Sequence, residues 1–363
     1  MIRYSPPMAV NISSASREKL NSRTVLDVAE TMVKTGLVDA GYNILNIGDV
    51  WMARGRDPES GTVMCDTEKM GCTLRELADE LGKMGIGLGI VTGAGTRTPD
   101  GYPGSFEHEY ADAEFFTREG VVMICHDFSN LPRLVDTVTL IRRMSMALRA
   151  AGDKIFYSVF TPDDLYVKRI RTTGADAYHG RPYVESKNVI LPPPETYGNS
   201  GPGCLFNCGQ LRIGHTKDAR SVKRDLITVV MASSPLSLRC DPARLEPDTL
   251  TILKSPGAIA VLNDPEVRPA RIMSAENGQV FFKVLDEGKY AVALINDTDR
   301  YMEVPFYTHD MGLTSDSKMV LRAIEVFSGE IVYADDHIAP DLEPGDSRLY
   351  ILELVERKEA AGK

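Results

Sequence analysis

Short apolar runs alternate with amphipathic stretches along the first three quarters of the chain, a rhythm that predicts strands and helices in strict succession. "PPMAVNI" predicts a first strand ending at Asn11. Behind it, "NSRTVLDVAETMVKTGLVDAG" puts apolar residues at positions 25, 28, 29, 32 and 33 on one helical stripe, with Ser22 as the cap and a glycine as the stop. "YNILNIGD" predicts strand two, "IGLGIVTGAG" strand three, "VVMICHD" strand four and "KIFYSVF" strand five. Helices over "TLRELADELGKMG", "EYADAEFFTREG" and residues 134–152 stand between them. "LYVKRIRTTGADAY" predicts a helix and then a short sixth strand near 171–175. "CLFNCGQLRIG" and "PLSLRCDP" supply the seventh and eighth crossings, with the helix "RSVKRDLITVVMASS" between. Eight such crossings predict an α/β fold, a (β/α)8 TIM barrel over 1–272.

Past residue 272 the period changes to two. "GQVFFKVLDEGKYAVALIND", "YMEVPFYT", "KMVLRAIEVFSGEIVYAD" and "SRLYILELVER" are alternating runs joined by turns, which predicts an antiparallel β-sandwich over 273–356 and a frayed tail over 357–363.

The 363 residues, 43% of them apolar, are enough for a large domain and a small one. A formal charge of −10 argues against a nucleic-acid partner. The N-terminus has no apolar leader core and no segment is apolar for a membrane span, so the chain reads as cytoplasmic and off the membrane. Six scattered cysteines read as free thiols; Cys204, Cys208 and His215 lack a metal-ligand spacing, and "TGAG" lacks a nucleotide fingerprint, so neither metal nor cofactor is expected.

In a parallel barrel the strand C-terminal ends converge on one mouth, which singles out Asn11, Asp49, Thr92, His126, Asp127, Arg171, Asp176 and Asp241. Asp127 follows a buried apolar run and suits a nucleophile or base, against the plainer reading of a loop carboxylate capping its neighbours. Asp176 would be its partner across the cavity, with Arg171 binding a hydroxyl. A carboxylate separation of about 5–5.5 Å permits double displacement, and about 6.5–9.5 Å direct water attack. Strand alternation turns His126 away from Asp127, so direct contact between His126 and substrate is the less favoured of its roles.

The blocks "PPMAVN", "GLVDAGYNILNIGDVWMARGRDPESG", "LADELGKMGIGLGIVTGAGTRTPDGYPGSFEHEYADAEFFTREGVV" and "RTTGAD" resemble glycoside hydrolase family twenty-seven, the α-galactosidases and α-N-acetylgalactosaminidases. The resemblance implies a barrel plus a β-sandwich, retaining cleavage of an α-linked terminal sugar, and self-association into a homo-oligomer. It places the nucleophile on Asp127, the acid/base on Asp176 and substrate contacts on Asp49, Cys125, His126, Phe160 and Arg171. The sugar-binding shell departs from the family pattern. Gly48 stands where the first of two aspartates is usual, Cys125 where a lysine is, Val91 where a tyrosine is, Phe160 and Thr161 where the sugar 2-substituent is read, and "FNCGQL" where two further aspartates are. Several lost hydrogen bonds of about 1–3 kcal/mol each argue against an ordinary α-galactoside as substrate. A retaining glycosidase acting on an α-linked or modified sugar is the leading expectation. An inactive carbohydrate-binding or assembly protein, and non-hydrolytic chemistry on a glycoside, stand as alternatives.

Overall fold

The computed structural model describes residues 5–12, 20–160, 167–179, 199–213, 218–274, 278–314 and 317–357. Thr161, His215 and nearly all of the expected tail lie outside the described residues. The chain forms two compact units: Pro7–Gly214 with Pro235–Leu245, and His215–Ser234 with Glu246–Lys363.

The first unit is built on nine parallel strand segments: β1 (Met8–Asn11), β2 (Ile44–Asn46), β3 (Gly87–Gly93), β4 (Val121–Asp127), β5 (Phe156–Phe160), β6 (Ala177–His179), β7 (Leu205–Phe206), β8 (Gln210–Arg212) and β9 (Leu236–Arg239). Their order in the sheet is β8-β9-β1-β2-β3-β4-β5-β6-β7. The two end segments, β7 and β8, are one stretch of chain interrupted at Asn207, Cys208 and Gly209, so the curled sheet comes back on itself. There the Asn207 side chain accepts the Gly209 N–H at 2.9 Å, and Gly209 takes φ 101, a conformation open to glycine. The seventh crossing is therefore one strand broken at its middle.

Helices α1 (Ser22–Lys34), α2 (Leu74–Lys83), α3 (Glu109–Arg118) and α4 (Thr137–Ala150) fall where the apolar stripes place them. The α1 cap is Asn21, one residue before the serine expected. Its side chain accepts the Thr24 N–H at 3.0 Å while Thr24 Oγ1 accepts the Asn21 N–H at 3.0 Å, and Ser22 is the first helical residue.

Strand six differs more. The residues expected as strand, 171–175, end a 3-10 turn (Val167–Thr172) and pass through Gly174 at φ 81; pairing begins only at Ala177, opposite Ser158. That shift moves Arg171 and Asp176 from the end of the strand to its beginning.

The second unit carries a six-stranded antiparallel sheet of β10 (Arg271–Ser274), β11 (Gln279–Val284), β12 (Tyr290–Ile295), β13 (Met319–Glu325), β14 (Ile331–Ala334) and β15 (Ser347–Glu356), ordered β10-β11-β12-β15-β13-β14. One face packs Val280, Val292, Leu294, Leu321 and Leu352 against Phe306, Ile338 and Leu342 of two small two-stranded sheets and Val304 beside them, giving a sandwich-like core. Helices α5 (Ala219–Met231), α6 (Pro247–Leu253) and α7 (Pro256–Leu262) belong to this unit as well. No described helix is long and apolar enough to cross a membrane. All six cysteines are free thiols.

Candidate active site

Strands β1 to β9 deliver polar side chains to one mouth because their C-terminal ends are in register: Asp127 lies opposite Gly93 and Phe160, Phe160 opposite His179, and Asn11 opposite both Asn46 and Arg239. Two adjoining cavities open there. The larger, about 370 Å³, has Cys125, Asp127, Ser158, Phe160, His179 and Asn207 in its wall. The smaller, about 260 Å³, adds Asn46, Gly48, Asp49 and Asp100. Both share Asn11, Val91, Asp127, Gln210 and Arg239.

Asp127 is half-buried at the junction of the two. Its Oδ1 accepts the Ser129 N–H at 2.8 Å, so it caps its own loop and lines the cavity at once. Beneath it, Cys125 Sγ stands 3.5 Å from Asn46 Nδ2, and burial pushes the thiol up to about 11. Asn46 in turn accepts the Gly48 N–H at 3.0 Å, holding the turn that presents Asp49, which is 3% exposed. Gly48 sits at φ 78, where a side chain would strain the backbone. Asp49, Cys125, Asp127 and Phe160 are thus brought together as expected.

Asp176, Arg171 and His126 are not. Asp176 precedes β6 and is level with Tyr157, three residues back from the Phe160 end of β5. Its Oδ2 accepts the Tyr157 N–H at 2.7 Å and its backbone carbonyl the Leu205 N–H at 2.8 Å. At about 3.3 Å per residue that is roughly 10 Å below the mouth, and Asp176 lines neither cavity. Arg171 is exposed on the same side, donating to the Pro202 carbonyl at 3.2 Å. The expected pairing of Asp127 with Asp176 does not form. Thr92 is fully buried, and Asp241 caps the Ala243 N–H at 3.1 Å, outside the mouth.

His126 points away from the cavity, as strand alternation demands. It is 1% exposed, with Nδ1 at 2.9 Å from the Tyr157 hydroxyl and the ring edge-on to Phe128 at 5.1 Å. Burial lowers its pKa to about 4. A base with a depressed folded pKa takes up fewer protons in the native state than in the unfolded chain, between about 4 and the ordinary value near 6.5. Its stabilising contribution is whole above about 6.5 and fades towards pH 4, by up to about 3 kcal/mol. Urea midpoints measured from pH 4 to 7.5 should fall more steeply with acid in the wild type than in His126→Gln; parallel curves would contradict a neutral buried imidazole.

Sequence reasoning gives His179 only a weak signal, as a loop histidine, and misses Arg239, Gln210, Asn46 and Ser158. His179 ends β6, is 8% exposed and meets the Phe160 ring at 5.2 Å. Had strand six been placed over "AYH", the same end-of-strand rule would have found it. Arg239 ends β9 two residues before the aspartate that drew attention.

A parallel barrel with a carboxylate at the end of its fourth strand, joined in one chain to an antiparallel sandwich-like unit, is the architecture of a barrel glycosidase. Residues 8–178 match the family described as alpha galactosidase A, melibiase 2. Among curated relatives, an α-galactosidase of Oryza sativa is 26% identical over 92% of this chain and 81% of its own length. Human α-galactosidase A is 28% identical over 76% and 68%. Among solved structures, α-galactosidase I from Mortierella vinacea superposes with a TM-score of 0.85 at 20% identity, covering 96% of this chain and 97% of the other. A family 27 β-L-arabinopyranosidase from Geobacillus stearothermophilus does so at 0.80 and 16%, covering 96% of each. In fold and homology the chain is family 27-like, similar to the melibiase glycosidases. The matched stretch ends at Tyr178, one residue short of His179, so the wall formed by His179, Asn207, Gln210 and Arg239 lies beyond it.

Proposed function

We propose that this chain is a retaining glycosidase in which Asp127 attacks the anomeric carbon of an α-linked or modified terminal sugar other than ordinary galactose. The observation that carries the reading is Asp127 itself, at the end of β4 and in the wall shared by both cavities. In the first step a C1–O bond forms to Asp127 as the leaving oxygen departs with a proton from an acid; in the second, water deprotonated by that same group displaces the carboxylate. Asp49 and Asp100 are the other described carboxyl groups at the mouth, and His179 is a further proton carrier there. Glu185 and Glu195, in the segment following His179, lie outside the described residues. The substrate departs from the galactose pattern because Gly48, Val91 and Cys125 present little charge, while Arg239 presents a cation on the far wall.

The test is covalent trapping with fluorinated glycosyl fluorides of the galacto and arabino series, followed by peptide mass spectrometry. A sugar adduct on the peptide carrying Asp127 is expected. An adduct elsewhere would move the nucleophile, and turnover with inversion would remove double displacement. Absence of both turnover and adduct across the panel would favour a carbohydrate-binding protein.

A further inference from the structure

A third cavity, of about 380 Å³, lies outside the barrel mouth and is lined by three arginines, Arg54, Arg56 and Arg97, with Glu107 and His108 among its other residues. Arg54 and Arg56 come from a short hairpin, Met52–Arg56 against Val63–Cys65, and Arg97 from the loop between β3 and α3. None of the residues lining the two mouth cavities lines this one.

The three guanidinium groups are held in different ways. Arg56 makes a bidentate pair with Asp112, whose side chain has no exposure, at 2.7 and 2.8 Å, and so is neutralised. Arg54 donates to the Asp100 carbonyl at 2.7 Å with its guanidinium 4.2 Å over the Tyr102 ring, and Arg97 donates to the Gly101 carbonyl at 2.8 Å. Among the described residues neither pairs with a carboxylate. A carbonyl fixes a guanidinium's direction while leaving its charge and its other N–H groups available. Set against Asp112 and Glu107, the three arginines leave the cavity net positive in a chain of formal charge −10.

The support is stiff. Residues 96–104 close a small turn through Thr98 N–H to Tyr102 O at 2.8 Å and Gly104 N–H to Thr96 O at 3.0 Å. A Cβ on Gly95 would collide with the Asn130 carbonyl, and one on Gly104 with that of Gly95, so the loop carrying Arg97 is packed backbone against backbone at both its ends. Donors fixed in advance lose little freedom when a ligand arrives.

We propose that this cavity is an anion-binding site, taking a phosphate, sulfate or carboxylate group in the fork of Arg54 and Arg97. The group comes either as a free anion or as a substituent on a carbohydrate. The second source has structural support, since Pro99 and Asp100 of the same loop line the barrel mouth, and the Asp100 carbonyl holds Arg54.

The test is calorimetric titration of the intact protein with inorganic phosphate, inorganic sulfate, methyl glucuronide and a sulfated galacto-oligosaccharide. Saturable binding of at least one probe is expected, weakened about tenfold or more in Arg54→Gln/Arg97→Gln. Arg23→Gln, on the exposed face of α1, should leave binding unchanged. Binding of the inorganic ions assigns a free-anion site; binding of the oligosaccharide alone assigns a substituent. Should the double variant melt early, Arg97→Gln alone gives the same readout, because its side chain is exposed. No saturable binding of any probe, undiminished binding in the arginine variants, or an equal loss in Arg23→Gln would overturn the proposal. Asp127→Asn should bind the anion as the wild type does, which keeps this outcome separate from that of the catalytic assignment.

Discussion

Asp127→Asn is expected to lower kcat/KM towards an activated aryl glycoside by about ten-thousandfold, on the order of 5 kcal/mol of transition-state stabilisation. An amide there cannot form the glycosyl ester, while the cavity that binds the sugar stays in place, so the loss falls on kcat more than on KM. In Asp127→Ala, where truncation opens the position of the carboxylate, added azide should restore turnover by attacking from the vacated face. Asp176→Asn separates the structure's placement from the sequence pattern. At the opposite end of β6, accepting the Tyr157 N–H, Asp176 supports the barrel. Its substitution should leave kcat unchanged and, since the asparagine Oδ1 still accepts that N–H, lower stability by no more than about 1 kcal/mol. Equal losses of activity in the two variants would restore the paired-aspartate mechanism; full activity in Asp127→Asn would remove the nucleophile assigned here.

The second large effect belongs to Lys283 in the other unit. Its side chain is 1% exposed, and Nζ donates to the Val230 carbonyl at 3.0 Å and the Val261 carbonyl at 2.9 Å. These are main-chain acceptors near the C-terminal ends of α5 and α7, so one ammonium clamps two helix ends to strand β11. Burial lowers the pKa to about 7, with Asp264 pulling weakly the other way. Between pH 7 and the ordinary value near 10.5 the unfolded chain binds the proton more tightly than the native state, so stability rises with pH across that window. The slope is up to about 1.4 kcal/mol per pH unit, and the whole window is worth at most about 5 kcal/mol. Buried thiols and phenols pull the other way at alkaline pH, so the measurement is the difference in denaturation free energy between wild type and Lys283→Met at pH 7, 8, 9 and 10. That difference should widen in favour of the wild type as pH rises. A constant difference would mean that Lys283 is charged throughout or that its neutral form is not needed.

The identity of the elements was legible wherever a local period carried it. The stripe at 25, 28, 29, 32 and 33 became α1, and "VVMICHD" became β4 with Asp127 as its last residue. The seventh crossing was legible as a crossing, while its break at Asn207–Gly209 was not, because a side-chain bond from Asn207 and a positive φ at Gly209 create it.

Strand six shows where the local signal fails. "RIRTTGADAYH" mixes cations, threonines, a glycine and one carboxylate, and no alternation in it says where pairing begins. The register of Ala177 with Ser158 and of His179 with Phe160 decides that, and a shift of a few residues exchanges one end of the barrel for the other. The same applies at β9, where Arg239 rather than Asp241 reaches the mouth, and at β11, where period two puts Lys283 on the side of Phe281.

By itself the order of residues determined a parallel barrel followed by an antiparallel unit, and a carboxylate at the end of strand four, since both depend on apolar spacing within single elements. Only the tertiary structure decided which polar residues share the mouth. It removed Asp176, Arg171 and His126, and it added His179, Asn46 and Arg239. Strand register and the direction of each side chain across the sheet are set by pairing between segments distant in sequence, and no window of one segment contains that information.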